Sequence, residues 1–172
     1  MRIDTGLIKL QVLNRMLKML KDDYDYILID CPPNLNYITQ NALYCSDYYL
    51  IPTQLDFLSV YGITSITAKV ADLNATFTDI QPDYRPTELI GIVANRVREY
   101  NKEPKGSQMN ILERLHNSFG DMVFQNYVTE GEGITNASQL ANTVYATASS
   151  GAVARKQAEA MRAVVCEMLE RI

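Results

Sequence analysis

Tryptophan is absent, histidine occurs once and cysteine three times in 172 residues. Each scarcity excludes something. A single histidine, His116, has no serine or cysteine partner nearby in sequence, so most nucleophile–base chemistry is out of reach, and a surface or helix-capping role suits it better. Three cysteines (Cys31, Cys45, Cys166) are odd in number and lack the close pairing of a metal site, so reduced thiols are expected. Uncharged apolar runs fall well short of the ~20 residues a membrane helix needs, and no signal peptide opens the chain. A cytoplasmic location follows by default. The net charge of -4 argues against a dedicated nucleic-acid binder, leaving room only for a local basic face. Hydrophobic residues make up 47% and charged residues 21%, the balance of a folded globular chain.

What is present is an alternation of helix and strand patterns. Residues 7 to 21 place Leu10, Leu13, Leu17 and Leu20 at helical spacing. "YDYILID" follows, and its unbroken Ile27-Leu28-Ile29 suits a strand covered on both faces, as in parallel sheets. Tyr24, Tyr26, Tyr48 and Tyr49 flank strands as half-buried packing groups. A short helix around residues 36 to 46 turns Ile38, Ala42 and Leu43 inward. Strand 48 to 52 halts at Pro52, and a helix over 59 to 76 buries Ile63, Ile66, Val70 and Leu73. Residues 87 to 97 read as a third strand, 106 to 118 as a helix and "MVFQNYV" as a fourth strand. A terminal helix over 152 to 171 runs through Met161, Val165, Met168 and Leu169. Its mixed charges (Arg155, Lys156, Arg162 and Arg171 with Glu159, Glu167 and Glu170) suggest a salt-bridged outer face rather than a membrane-binding one. No repeat or linker interrupts the order. A single α/β domain over 1–172 is expected, with a mainly parallel sheet flanked by helices.

In such sheets ligands sit beyond the carboxyl ends of the strands. Asp30 ends its strand there, and Pro32-Pro33 fixes the direction in which the chain leaves. An aspartate at that place either simply closes a strand or holds a hydrated magnesium ion beside phosphates; spacing alone leaves both open.

The stretch "YDYILIDCPPNLNYITQNALYCSDYYLIPTQLDFLSVYGI", residues 24 to 63, resembles the middle of a ParA/MinD-type ATPase, the deviant Walker A family of plasmid and chromosome partitioning. Its aspartate-x-proline-proline segment corresponds to the Walker B and switch region. Thr39, Asn41, Ala42 and Leu43 match the family's Thr-x-Asn-Ala-Leu helix, and Pro52 with Leu58 to Gly62 matches the next strand end and helix start. The resemblance implies a P-loop NTPase-like fold missing its first strand and loop. It assigns Asp30 to magnesium through water, Pro32 to the switch that senses the γ-phosphate, and Asn95 to the nucleotide base; as a residue, Asn95 serves equally to turn the chain after its strand. The family's proline-rich, base-lining loop is replaced here by "NYVTEGEGITNAS", with Gly131 and Gly133.

The family's glycine-rich loop with its lysines has no counterpart: no Gly-Lys-Thr or Gly-Lys-Ser occurs. ATP and Mg²⁺ belong to the complete family domain. In this chain alone no catalytic residue is expected, and nucleotide binding is weak at best, because phosphoryl transfer depends on positioning and charge neutralisation. Either the chain is the C-terminal part of a longer ATPase, as its opening almost directly in a helix favours, or it is a naturally shortened, non-enzymatic relative. The latter would dimerise or regulate a ParA-type partner. The missing strand would leave edges at 26 to 29 and 48 to 51 bare, so these either close against each other or take a second chain between them. By the same resemblance, non-specific DNA (through Arg96, Arg98, Lys102 and Lys105) and a ParB-like adaptor are candidate partners, although a charge run on a loop is more often just solvated.

Overall fold

The computed structural model describes residues 11–32 and 34–172. Among these, helix α1 (Val12–Leu17) and α2 (Tyr37–Cys45) precede strand β1 (Tyr48–Gln54), helix α3 (Phe57–Ile80) and strand β2 (Glu88–Asn95). A two-residue hairpin, β3 (Glu99–Tyr100) and β4 (Glu103–Pro104), follows, then α4 (Gly106–Phe119), α5 (Gly133–Gln139) and α6 (Ala152–Glu170). The fold is α/β, with helices flanking a parallel sheet.

β1 and β2 are ladder neighbours, joined through the 24-residue α3 in a β-α-β connection. β2 reads "ELIGIVAN" and is buried over five consecutive positions, as its unbroken apolar run requires of a strand covered on both faces. β1 alternates instead, with Ile51 and Thr53 buried and Pro52 and Gln54 exposed.

Two departures from the sequence reading concern strands. "MVFQNYV" forms no continuous ladder with β2: one parallel bridge joins them, Ile92↔Val123, and a second, Val97↔Thr129, lies just beyond the end of each. Between the bridges the chain advances five residues from Ile92 to Val97 and six from Val123 to Thr129, so the extra residue is on the 123–129 side; Arg96 takes a left-handed conformation (φ 55°) just past β2. The larger departure is "YDYILID", which belongs to no strand. The expectation that it closes up against β1 is therefore overturned: β1's ladder partner is β2. Tyr24 and Tyr26 stand 62% and 59% exposed rather than half-buried, since no second layer covers them.

The residues divide into two compact units, one reaching to Tyr49 and including Ser65–Leu89, the other Leu50–Thr64 with Ile90–Ile172. In the first, Tyr44, Phe77 and Tyr84 form an aromatic trio with Leu73 against it. Tyr44 meets Phe77 edge-on at 5.1 Å and stacks on Tyr84 at 5.3 Å, geometries that suit the ring quadrupoles. The polar rims of these rings are satisfied. Tyr84 donates to Asn74 Oδ1 at 2.7 Å, Asn74 Nδ2 donates to the Thr87 carbonyl, and Tyr44 donates to Gln81. On α2 it is Thr39, not Ile38, that turns inward; Ile38 is 67% exposed.

In the second unit, Val93, Phe124, Val128 and Val164 form the core, joined by Leu50, Ile134, Met161 and Met168. Gly91 is required here. A Cβ on it would lie 2.4 Å from the Phe124 ring and 2.8 Å from the Met122 carbonyl. The buried stripe of α6 is Ala154, Gln157, Ala158 and Val164, rotated from the expected one so that Val165 and Leu169 stay exposed. The alanines let α5 approach closely: a Cβ on Gly133 would meet Ala154 Cα at 2.7 Å.

Phe77 is 1% exposed and touches both tyrosines of the trio. Phe77→Ala is expected to cost about 3–5 kcal/mol of stability in a denaturant titration. A loss below ~1 kcal/mol would show that the trio is not a packed core.

Candidate functional site

Asp30 and Pro32 lie in the first unit, Asn95 in the second, and each is described within its own unit. Asp30 is exposed, in a stretch outside any helix or strand, and Pro32 follows it, also exposed; Pro33 lies outside the described residues. Between them, the Cys31 thiol is pushed up from its ordinary value by partial burial and then by the Asp30 carboxylate. The direction matches the expectation that Cys31 is a poor thiolate.

The chain re-enters regular structure at α2. Asn36 caps it, its Oδ1 accepting from Ile38 N at 3.0 Å and Thr39 N at 3.2 Å. Asn41 Nδ2 donates back to the Tyr37 carbonyl at 2.8 Å. Its Oδ1 and the Thr39 hydroxyl are buried with no partner found among the described residues. Cys45, near the end of the helix, donates to the Asn41 carbonyl at 3.0 Å, and burial pushes its thiol up to about 11.

Asn95, half-buried, closes β2. Its Oδ1 accepts the Arg96 N–H at 2.8 Å, which uses the side-chain acceptor to hold the left-handed turn. The turning role is therefore visible, alongside whatever else the side chain meets. Arg96 and Arg98 converge on one carboxylate, Glu130, at 3.2 Å and 2.5 Å. The Arg98 hydrogen bond chiefly holds Glu130 below the usual carboxylate range. Lys102 and Lys105 are exposed. Lys102 and Asn101 both adopt positive φ (67° and 52°), the geometry of the tight turn that joins β3 to β4.

The segment after Val128 is fixed from both sides. Val128 N donates to the Ala94 carbonyl and Glu130 N to the Val97 carbonyl. From below, Gln157 of α6, only 2% exposed, donates to the carbonyls of Thr129 (2.9 Å) and Gly131 (3.2 Å). Its Oε1 accepts from Ile134 N at 2.9 Å. A buried amide with both ends used is a register pin for this loop. Sequence reasoning passed over Gln157; the available signal was that it falls on the helical stripe through Ala154, Ala158 and Met161.

Glu167 and Arg171 do the same for the preceding stretch. Glu167 accepts from the backbone of Gln125 and Asn126, both at 2.9 Å, and from Arg171 at 2.7 Å. Partial burial pushes its carboxyl up, and these hydrogen bonds more than offset that, leaving it below its ordinary value. Arg171 lies 4.2 Å over the Phe124 ring and donates to the Asp121 carbonyl at 2.8 Å. The expected salt-bridged outer face of this helix is thus in part an inward clamp, and Lys156 reaches away to Glu99.

The Asp30 carboxylate is open to solvent, and among the described residues no group of three or more His, Cys, Asp or Glu side chains gathers around a common point where a metal could sit. A triphosphate does not fit the residues present: the sequence holds no Gly-Lys-Thr or Gly-Lys-Ser to supply amides and a lysine to its oxygens. Two depressions, of about 430 Å³ beside Phe57, Tyr61 and Arg114 and about 550 Å³ beside Ile134 and Met161, lie in the second unit, and Asn95 lines neither.

Residues 2–82 match the family model described as an AAA domain. An uncharacterized protein of Mycobacterium tuberculosis is 31% identical over 164 residues, covering 94% of this chain and 46% of that protein. The chromosome-partitioning ATPase Soj of Treponema pallidum is 28% identical over 125 residues, covering 73% of this chain and 46% of its own length. Among solved structures, an ATP complex of a Cyanothece McdA variant superposes with a TM-score of 0.71 at 16% identity, over 93% of this chain and 59% of that one, a likeness of fold. The chain spans about half the length of these curated relatives.

Gln157→Ala is expected to cost about 1–3 kcal/mol, since two carbonyls and one N–H lose their partner, and to speed hydrogen exchange at Ile134. An unchanged melting temperature with unchanged exchange there would refute the pin. By these likenesses in sequence, the chain is a relative of the ParA-type partitioning ATPases.

Proposed function

We propose that this chain is the aspartate-bearing part of a ParA-type ATPase domain and does not hydrolyse ATP by itself. In this reading Asp30 is the Walker B residue and positions Mg²⁺ through water, Pro32 belongs to the switch, and Asn95 faces the base. ATP and Mg²⁺ are the ligands of the completed domain. The observation that carries the reading is the exposed Asp30 carboxylate at the end of a strand-like segment, in a sequence without a phosphate-gripping loop. A carboxylate facing phosphates repels them unless a cation and donors intervene, so the isolated chain holds nucleotide weakly at best.

The cellular role that goes with this reading is DNA partitioning in the cytoplasm, with self-association, a ParA-type partner and a ParB-like adaptor as the associations. Non-specific DNA contact through Arg96, Arg98, Lys102 and Lys105 is the weakest element. Glu130 pairs with both arginines and offsets one of their two charges, which weakens the positive face they would offer to phosphates. A second reading, a non-enzymatic module that dimerises with or regulates a ParA-type partner, is favoured by one observation: the unpaired, apolar segment around Leu28.

Isothermal titration with ATP and Mg²⁺ separates the possibilities. The isolated chain is expected to give no heat of binding at micromolar nucleotide and no phosphate release. Micromolar affinity abolished by Asp30→Ala would show that a complete site exists without the glycine loop.

A further inference from the structure

Arg96 and Arg98 reach the two oxygens of the Glu130 carboxylate separately: Arg96 Nη2 lies 3.2 Å from Oε1 and Arg98 Nε 2.5 Å from Oε2. The arginine side chains are 61% and 62% exposed and that of Glu130 31%, so the carboxylate is the most covered of the three groups and the guanidiniums are the most open. None of the three backbones depends on this pairing. Arg96 N donates to Asn95 Oδ1 at 2.8 Å, Arg98 N donates to Gln108 Oε1 at 2.7 Å, and the Arg98 carbonyl accepts from Lys105 N at 2.8 Å. Glu130 N donates to the Val97 carbonyl, also at 2.8 Å. Taking the carboxylate away therefore leaves two guanidiniums together with their backbones still fixed. Glu99, next to Arg98 in the chain, does not take its place, because the Tyr127 hydroxyl and Lys156 already occupy it.

Two positive charges around one negative leave an excess of one, and guanidinium groups match the paired oxygens of carboxylates and phosphates alike. We propose that Arg96 and Arg98 form a binding fork for closely spaced phosphate groups, and that Glu130 is its built-in competitor, which the phosphates displace. Pyrophosphate carries several charges in one small ion, and a DNA duplex carries about one per 1.7 Å of its axis, so either offers the fork more than the single charge of Glu130. A free carboxylate gains no more from the two cations than Glu130 does, and Glu130 has the advantage of being tethered. Exposed ion pairs hold weakly, which makes the exchange reversible. The fork takes its phosphates from free polyphosphate anions or from a nucleic-acid backbone. Only the second source rests on the DNA contact proposed above, for which it supplies the regulation.

Glu130→Gln keeps the shape of the side chain and removes its charge. The full chain carrying it is expected to keep its circular dichroism spectrum and to bind pyrophosphate about tenfold more tightly than the unaltered chain in isothermal titration, the effect of freeing two exposed ion pairs. Adding Arg98→Gln is expected to return the affinity to that of the unaltered chain or below it. In the unaltered chain, the NMR resonance of the Arg98 Nε–H is expected to move on addition of pyrophosphate and to stay in place at the same concentration of acetate. Fluorescence anisotropy with a labelled DNA duplex identifies the source. A gain for the duplex on Glu130→Gln assigns the fork to nucleic-acid backbones, whereas a gain confined to pyrophosphate assigns it to free phosphates and counts against the DNA contact alone. Three results would overturn the proposal. These are no gain with either anion, a gain that survives Arg98→Gln and so reflects overall charge, or an Arg98 resonance that acetate moves as far as pyrophosphate does.

Discussion

Backbone groups must find partners, and Tyr24–Cys31 makes no backbone–backbone hydrogen bond among the described residues. Tyr24–Cys31 carries the residues of a buried strand yet makes no ladder. Each unpaired N–H that would be buried by a core costs about 1–3 kcal/mol, so the segment stays in water and its side chains stay with it. Much else follows from that single constraint: the exposure of Leu28, the openness of Asp30, and a sheet whose named ladder is β1 with β2 alone.

Around that gap, the second unit is tied together from its last helix. Gln157, Glu167 and Arg171 reach from the last helix and its end to the segments at 129–134, 125–126 and 121, using side chains where strand pairing is limited to isolated bridges at Ile92 and Val97. Asn95 and the left-handed Arg96 lead into the region so held. The loop at residues 128–136 contains no proline, which would restrict a chain through φ, and is restrained instead by a buried amide.

The sequence made the alternation of elements legible because its periodicities are strong. β2's unbroken apolar run, the helix over residues 106 to 118, and the long helix before β2 appear where spacing puts them. The helix carrying Thr39 to Leu43 was recognisable by motif. "YILID" was misread, because strand propensity describes how a side chain fits a pleated, half-buried surface and says nothing of whether a neighbour exists. The inward face of α6 was also misplaced: two alanines and a glutamine carry less apolar signal than Val165 and Leu169, although they are the ones buried. The fates of Arg96 and Arg98 depended on Glu130, more than thirty residues away, and no local pattern reports such a pair.

Asp30 stands open to solvent at the end of residues 24–31, which make no backbone–backbone hydrogen bond among the described residues of the isolated chain. Native-state hydrogen exchange on that chain measures this directly. Amides of Tyr26–Asp30 are expected to exchange at nearly the rate of an unstructured peptide, while those of Ile90–Ala94 in β2 are slowed by about a thousandfold or more. Comparable protection in both segments would contradict it, because the strand would then already have its partner.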